Sequence, residues 1–192
     1  GLRMLYGEDA RPPTKHLFAP VAVSRHHHTH SLSEFLVTTA VAAQRHGFRL
    51  CDIYPENTLV LDVNGETLIP DARFDLRGND ARFRFLVEQD CSTETIRSTK
   101  HDDTIHRKLR LHDAHRDQSA DPHRVVFVSS RSRERLANIL DAAAAVVRNP
   151  DRTLFLGVYL PDFVHAADPV GEAMFLDHRG RRHALLPSLQ NG

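Results

Sequence analysis

The order of elements in the sequence predicts an α/β domain built on a mixed sheet flanked by helices. Three observations carry that expectation. Apolar residues recur at helical spacing from Ser31; short apolar runs separated by turn signals follow; and from Val125 onward continuous apolar runs alternate with an amphipathic segment. A meander followed by alternating strands and helices forms a sheet with antiparallel and parallel pairs and places helices on its faces.

Residues 1–25 contain Arg11-Pro12-Pro13 and Pro20, show little periodicity and read as an irregular opening segment or linker. Leu32, Phe35, Leu36, Thr39, Ala40 and Ala43 share a helical face, so a first helix is expected over residues 31–46. Ser31 or Ser33 would cap it and Gly47 would stop it. Residues 49–53, 58–63 and 68–76 then read as strands, with Asn64-Gly65 as a two-residue hairpin turn whose positions both need positive φ. Gly78-Asn79-Asp80 turns the chain into a strand over 82–90. Along it Phe83, Phe85 and Val87 alternate with Arg84, Leu86 and Glu88, which puts Glu88 and Asp90 on one face.

Cys91-Ser92-Thr93-Glu94 reads as a helix start, with Ile96, Ile105 and Leu109 as an apolar stripe and an end near 112–115. Residues 125–129 are a buried, parallel-type strand, 132–147 the clearest helix, ended by Asn149-Pro150, and 154–160 another buried strand. The expected organisation is a main α/β domain over 26–160, with 161–192 as a C-terminal extension packed on it.

Charge and motifs exclude several classes. Lys plus Arg and Asp plus Glu are each 25, so the net charge is zero with 14 neutral histidines, and any DNA contact must come from a local patch. Two cysteines without a C-x-x-C pair make neither a disulfide scaffold nor a four-thiolate zinc site, and read as thiols in a reducing cytoplasm. No run is long enough to span a membrane and no leader pattern is present, so a membrane partner is not expected. A G-x-S-x-G elbow and a glycine-rich phosphate loop are both missing.

The chemistry-bearing pair is Asp71, after Ile69-Pro70, and Glu88, with Asp90 beyond it. If the turn at Gly78 makes their strands neighbours, these carboxylates converge at the sheet edge as oxygen donors for Mg²⁺ or Mn²⁺. Such a metal activates water and bridges phosphate in phosphodiester cleavage, and a nearby Lys or Arg steadies the developing charge. Each residue also has a plain structural reading. Asp71 is a turn residue after proline, Asp90 a solvated strand end, and Lys108 an exposed helix lysine. Glu88, following Phe83, Phe85 and Val87, demands a partner or a metal. Arg97, Lys100, Arg107 and Arg110 form a basic strip diluted by Asp102, Asp103 and Asp113. The run from His26 to His30 reads as surface histidine, and nothing singles out His106 or His112 as proton shuttles.

Three segments, "LIPDARFDL", "RFRFLVEQDCSTETI" and "HRKLRLH", resemble the replication-relaxation family of plasmid and mobile-element proteins. That family lies within the PD-(D/E)-x-K nuclease superfamily of restriction-endonuclease-like fold. The likeness covers residues 26–147 and rests on PDA, E-x-D, S-T-E and K-L in order. It implies a restriction-endonuclease-like sheet with Asp71, Glu88 and Asp90 at a Mg²⁺ or Mn²⁺ centre and Asp71, Glu88 and Lys108 as catalytic residues. It also implies that His30 opens the first helix, that Glu34 is a further metal-side acid, and that Thr93 and Glu94 begin the next helix. Asp90 stands where E-x-K has its lysine, so Lys108 or Lys100 must supply that charge; Cys91 and Ser92 replace a basic residue and a glycine. The implied function is a nuclease-like domain of a replication or DNA-relaxation protein, with DNA as partner. A winged-helix DNA-binding part would lie N-terminal to these residues, and a homodimer is left open. The alternative is an inactive nuclease-fold module that binds DNA or docks a replication partner.

Overall fold

The computed structural model describes residues 23–91, 96 and 104–186. In chain order the elements are α1 (Val23–Arg45), β1 (Arg49–Tyr54), β2 (Leu61–Val63), β3 (Glu66–Leu68), β4 (Ala72–Arg77), β5 (Arg82–Asp90), α2 (Ile105–Gln118), β6 (Arg124–Ser129), α3 (Arg133–Val146), β7 (Phe155–Tyr159), α4 (Leu160–His165), β8 (Phe175–Asp177) and β9 (Arg182–His183). The seven-stranded sheet has the order β1-β4-β5-β6-β7-β8-β9, and β2 and β3 form a separate hairpin. The β5/β6 and β6/β7 pairs are parallel and the others antiparallel, so the mixed sheet with flanking helices is observed.

The alternation in β5 explains the layering. Phe85 and Val87 pack with Leu32, Phe35, Phe74 and Phe163 beneath α1 and α4, where the Phe35 and Phe163 ring centroids lie 4.9 Å apart. Leu86 faces the other way and packs with Ile105, Leu109, Phe127, Leu136 and Ile139 beneath α2 and α3. Two parallel steps in the same direction along the sheet put both connecting helices on one face, as crossovers of the same hand do. Helix α3 comes so close to β7 that a Cβ on Gly157 would lie 2.7 Å from Leu136 Cδ1.

Three boundaries differ from the sequence expectation. Helix α1 is already formed at Val23, so Ser31 and Ser33 are interior residues rather than caps; the histidine run contains no glycine or proline to stop a helix. The expected strand over 68–76 is broken at Pro70, which has no N–H for a ladder, so β3 ends at Leu68 and β4 starts at Ala72. Helix α2 is capped by Thr104, whose Oγ1 accepts a bond from the Arg107 amide at 3.2 Å, and runs on to Gln118. Ser92, Thr93 and Glu94, the expected helix start, lie outside the described residues, as do Arg97 and Lys100. Other signals read directly. Asn64 and Gly65 have φ of 55° and 82° in the β2–β3 turn, and Ser132 caps α3 by accepting from the Arg135 amide at 3.1 Å. No helix among the described residues is long and apolar enough to cross a membrane.

Beyond residue 160 the chain completes the sheet. Asp177 at the end of β8 is buried and accepts bonds from the Arg179 amide (2.8 Å), the Arg181 amide (2.9 Å) and His183 Nε2 (2.9 Å). Burial opposes its charge, but these donors outweigh it and hold its pKa down at about 2. Asp177→Ala should lose about 2–3 kcal/mol in urea unfolding, because several donors lose their common acceptor. The parent's advantage should be complete above pH 3.8, the ordinary carboxylate value, and fade as pH falls toward 2. An unchanged urea midpoint would remove Asp177 from the account of the C-terminal turn.

Candidate functional site

The β4/β5 ladder pairs Ala72 with Val87, and one further step sets Asp71 beside Glu88. The Asp71 amide donates to the Val87 carbonyl at 3.0 Å, and Asp71 Oδ2 accepts from the Gln89 amide at 2.7 Å. The proline that breaks the strand therefore does not separate the carboxylates. It leaves Asp71 at the mouth of the ladder with its side chain 15 % exposed.

Glu88 is enclosed, with 3 % of its side chain exposed. Its Oε2 accepts from Lys108 Nζ at 3.1 Å, and its Oε1 lies 2.7 Å from His112 Nε2. Lys108 and His112 stand one turn apart on α2, so both reach the same carboxylate. Lys108 is turned inward at 16 % exposure, in place of the solvent-facing lysine of the plain reading. From the opposite face, α1 contributes His28, whose Nε2 is 3.2 Å from Asp71 Oδ2 and whose Nδ1 is 3.8 Å from Glu56 Oε2. Asp90 is held by Arg135 of α3, with Nε at 2.8 Å from Oδ2 and Nη2 at 2.8 Å from Oδ1.

The electrostatics follow from these contacts. The Asp71 bond, aided by the Asp71 and Glu56 charges, raises the His28 pKa above 6.5 against the effects of burial and the Lys108 charge. Burial works against the Asp71 carboxylate, but the His28 bond, the Lys108 charge and the Gln89 amide overcome it and hold its pKa below 3.8. Lys108 thus acts on both carboxylates of the register pair.

A cavity of about 30 Å³, lined by His28, Glu88, Gln89, Asp90 and Lys108 among others, lies within this group, room for a water or a bare ion. Gln89, one of the lining residues, has its Oε1 buried without a hydrogen-bond partner among the described residues. Past Cys91 a cleft of about 550 Å³ opens at the carboxyl ends of β5 and β6, lined by His27, Ser31, Glu34, Ser130, Arg131 and His165. Crevices at the carboxyl ends of parallel strands are where α/β folds bind ligands.

The structure brings Asp71, Glu88 and Lys108 together and engages Asp90 through Arg135. Glu34 lies on the adjoining cleft, and His30 is exposed. Arg107 and Arg110 of the basic strip pair with Glu66 of the hairpin. Sequence reasoning missed the roles of His28, His112 and Arg135; the only available signal was the spacing of Lys108 and His112 on one helical face. Among the described residues no group of three or more His, Cys, Asp or Glu side chains converges as a metal cage. In comparisons with known proteins, no protein-family model, no curated protein and no solved structure matches the chain.

The His28–Asp71 link makes a pH prediction. Because His28 is raised, its share of stability is complete below pH 6.5 and lost as pH rises through its folded value. Because Asp71 is lowered, its share is present above pH 3.8 and lost as pH falls below it. The link is therefore strongest between these limits. An NMR titration should place the His28 midpoint above 6.5, and Asp71→Asn should move that midpoint downward; an unmoved midpoint would show that the imidazole does not sense Asp71.

Proposed function

We propose that the chain is a nuclease-like module that acts on DNA in the replication or relaxation of a plasmid or mobile element, with Asp71, Glu88 and Lys108 as its site. The observation that carries this reading is the Asp71–Glu88 register pair, spanned by the charge of Lys108 and opening beside a cleft of about 550 Å³. An acid pair with an inward lysine is one residue set suited to metal-assisted phosphodiester cleavage. The sequence resemblance points the same way.

The donor chemistry fits a hard divalent cation. Asp71 Oδ1 accepts no bond among the described residues, and Gln89 Oε1 is a buried oxygen without a hydrogen-bond partner among them. Asp71 and Glu88 would hold Mg²⁺ or Mn²⁺, which when bound supplies a water of lowered pKa and positive charge on the phosphate. Asp90 serves this set from outside, through its bond to Arg135. Lys108 Nζ is the group that steadies phosphate charge, and His112 keeps Glu88 oriented. His28 Nε2, whose hold on a proton is strengthened by its link to Asp71, stands at the edge of the site.

A second reading has a specific observation behind it. Both oxygens of Glu88 and both of Asp90 are already engaged by basic side chains, the charge balance of a site used for docking rather than catalysis. On that reading the module binds DNA or a replication partner without cutting.

Supercoiled plasmid with Mg²⁺ or Mn²⁺ separates the two. The catalytic reading expects nicking by the parent and a loss of about a hundredfold in Asp71→Asn and in Lys108→Ala, each variant checked for an unchanged circular-dichroism spectrum. A parent that retards DNA in a gel without nicking it supports the docking reading. Equal nicking by parent and Asp71→Asn would defeat the assignment of the site.

A further inference from the structure

At the end of the sheet away from Glu88, the first residues of β5 and β6 line a second cavity of about 350 Å³. It is lined by Arg82, Arg84, Arg116, Arg124 and Arg152 together with His123, Phe83 and Phe85. Arg82 and Arg84 share the buried carboxylate of Asp75, and they extend to Asp52 and Asp121 respectively. Arg152 pairs with Asp117 at 2.6 Å. Neither of the remaining two makes an ion pair among the described residues, although Arg116 and Asp117 feel each other's charge. Arg116 donates only to the Ser119 carbonyl, at 3.4 Å, and Arg124 has no hydrogen-bond or ion-pair partner among the described residues.

Arg124 is the telling residue. It opens β6 directly beside Phe85, is half-buried, and has burial as the sole influence on its acidity, which moves its pKa downward. A guanidinium withdrawn from water with no counter-charge is unfavourable unless an anion meets it. His123 does not compete for that anion: burial pushes its pKa down to about 4, so it is neutral at physiological pH and leaves the positive charge to the arginines. Planar guanidinium forks offer paired N–H donors to tetrahedral oxyanions, and several such forks around one cavity select for phosphate over halide.

We propose that this cavity is a binding site for a phosphate-bearing anion, with Arg124 and Arg116 as its primary donors and Arg84 and Arg152 flanking them. The site is separate from the Asp71–Glu88 pair, with the length of β5 between them, and does not depend on whether that pair is catalytic. The same chemistry serves a free phosphate or the terminal phosphate of a nucleic-acid strand.

Isothermal titration of the whole chain with inorganic phosphate, at constant ionic strength set with chloride, tests this. One saturable site is expected, weakened about tenfold or more in Arg124→Gln and likewise in Arg116→Gln, and partly recovered in Arg124→Lys. Arg116→Gln also serves where Arg124→Gln does not fold. Short oligonucleotides with a 5′-phosphate or a 5′-hydroxyl then identify the source. Tighter binding of the phosphorylated strand than of both the 5′-hydroxyl strand and inorganic phosphate assigns a strand terminus, and equal binding of the two strands assigns a free anion. Absence of a saturable phosphate site in the parent, or full affinity in both glutamine variants, overturns the proposal.

Discussion

A carboxylate almost wholly cut off from water near the end of the interior strand β5 has to be met by positive charge, and much of the domain is arranged around that demand. Glu88 draws Lys108 and His112 of α2 onto the sheet. Its neighbours do the same for the other long helices: Asp71 takes His28 from α1, and Asp90 takes Arg135 from α3. One end of β4 and β5 therefore ties down three helices drawn from both faces. Buried ion pairs are weak contributors to net stability, yet removing one partner is costly, so such pairs select an arrangement more than they deepen it. The apolar layers above and below β5 supply the bulk of the driving force; the acids decide where along the sheet each helix comes to rest.

The proposed functional residues and the helix-docking residues are thus the same side chains. A site of this kind trades independence for rigidity. Lys108 cannot be repositioned without loosening α2, and a ligand that draws on Asp71 alters the charge that His28 feels. Stability and function share residues where polar groups are buried, and a substitution there is read correctly only when folding is measured beside it.

Much of the fold was legible because it rests on period and local chemistry. The alternation of Phe83, Phe85 and Val87 identified β5 and its two faces, Asn64-Gly65 identified the hairpin, and Ser132 with Asn149-Pro150 bounded α3. Boundaries slipped where a local signal had a stronger competitor. Ser31 and Ser33 are good caps, but nothing upstream stops the helix, and the apolar run through Ile69 concealed the break that Pro70 imposes. Of the site, the approach of Asp71 to Glu88 could be anticipated from the turn at Gly78. The partners could not. Periodicity tells which face a side chain takes but not which distant element arrives there, and His28, His112 and Arg135 each lie far from their carboxylates in the chain.

The small hairpin that stands apart from the main sheet has its own consequence. Val63 and Leu68 close over Leu111 on the outward flank of α2 while Ile105 and Leu109 rest on the sheet, and Glu66 reaches Arg107 and Arg110 from outside. The helix is gripped on two sides, which fixes its roll about its own axis. Since successive residues are about 100° apart around a helix, a roll of a single residue would swing the Lys108 ammonium out of the sheet interior. The turn at Asn64 and Gly65, which touches none of Asp71, Glu88 and Asp90, in this way sets the aim of the lysine, and lengthening that turn would misdirect it without touching the site.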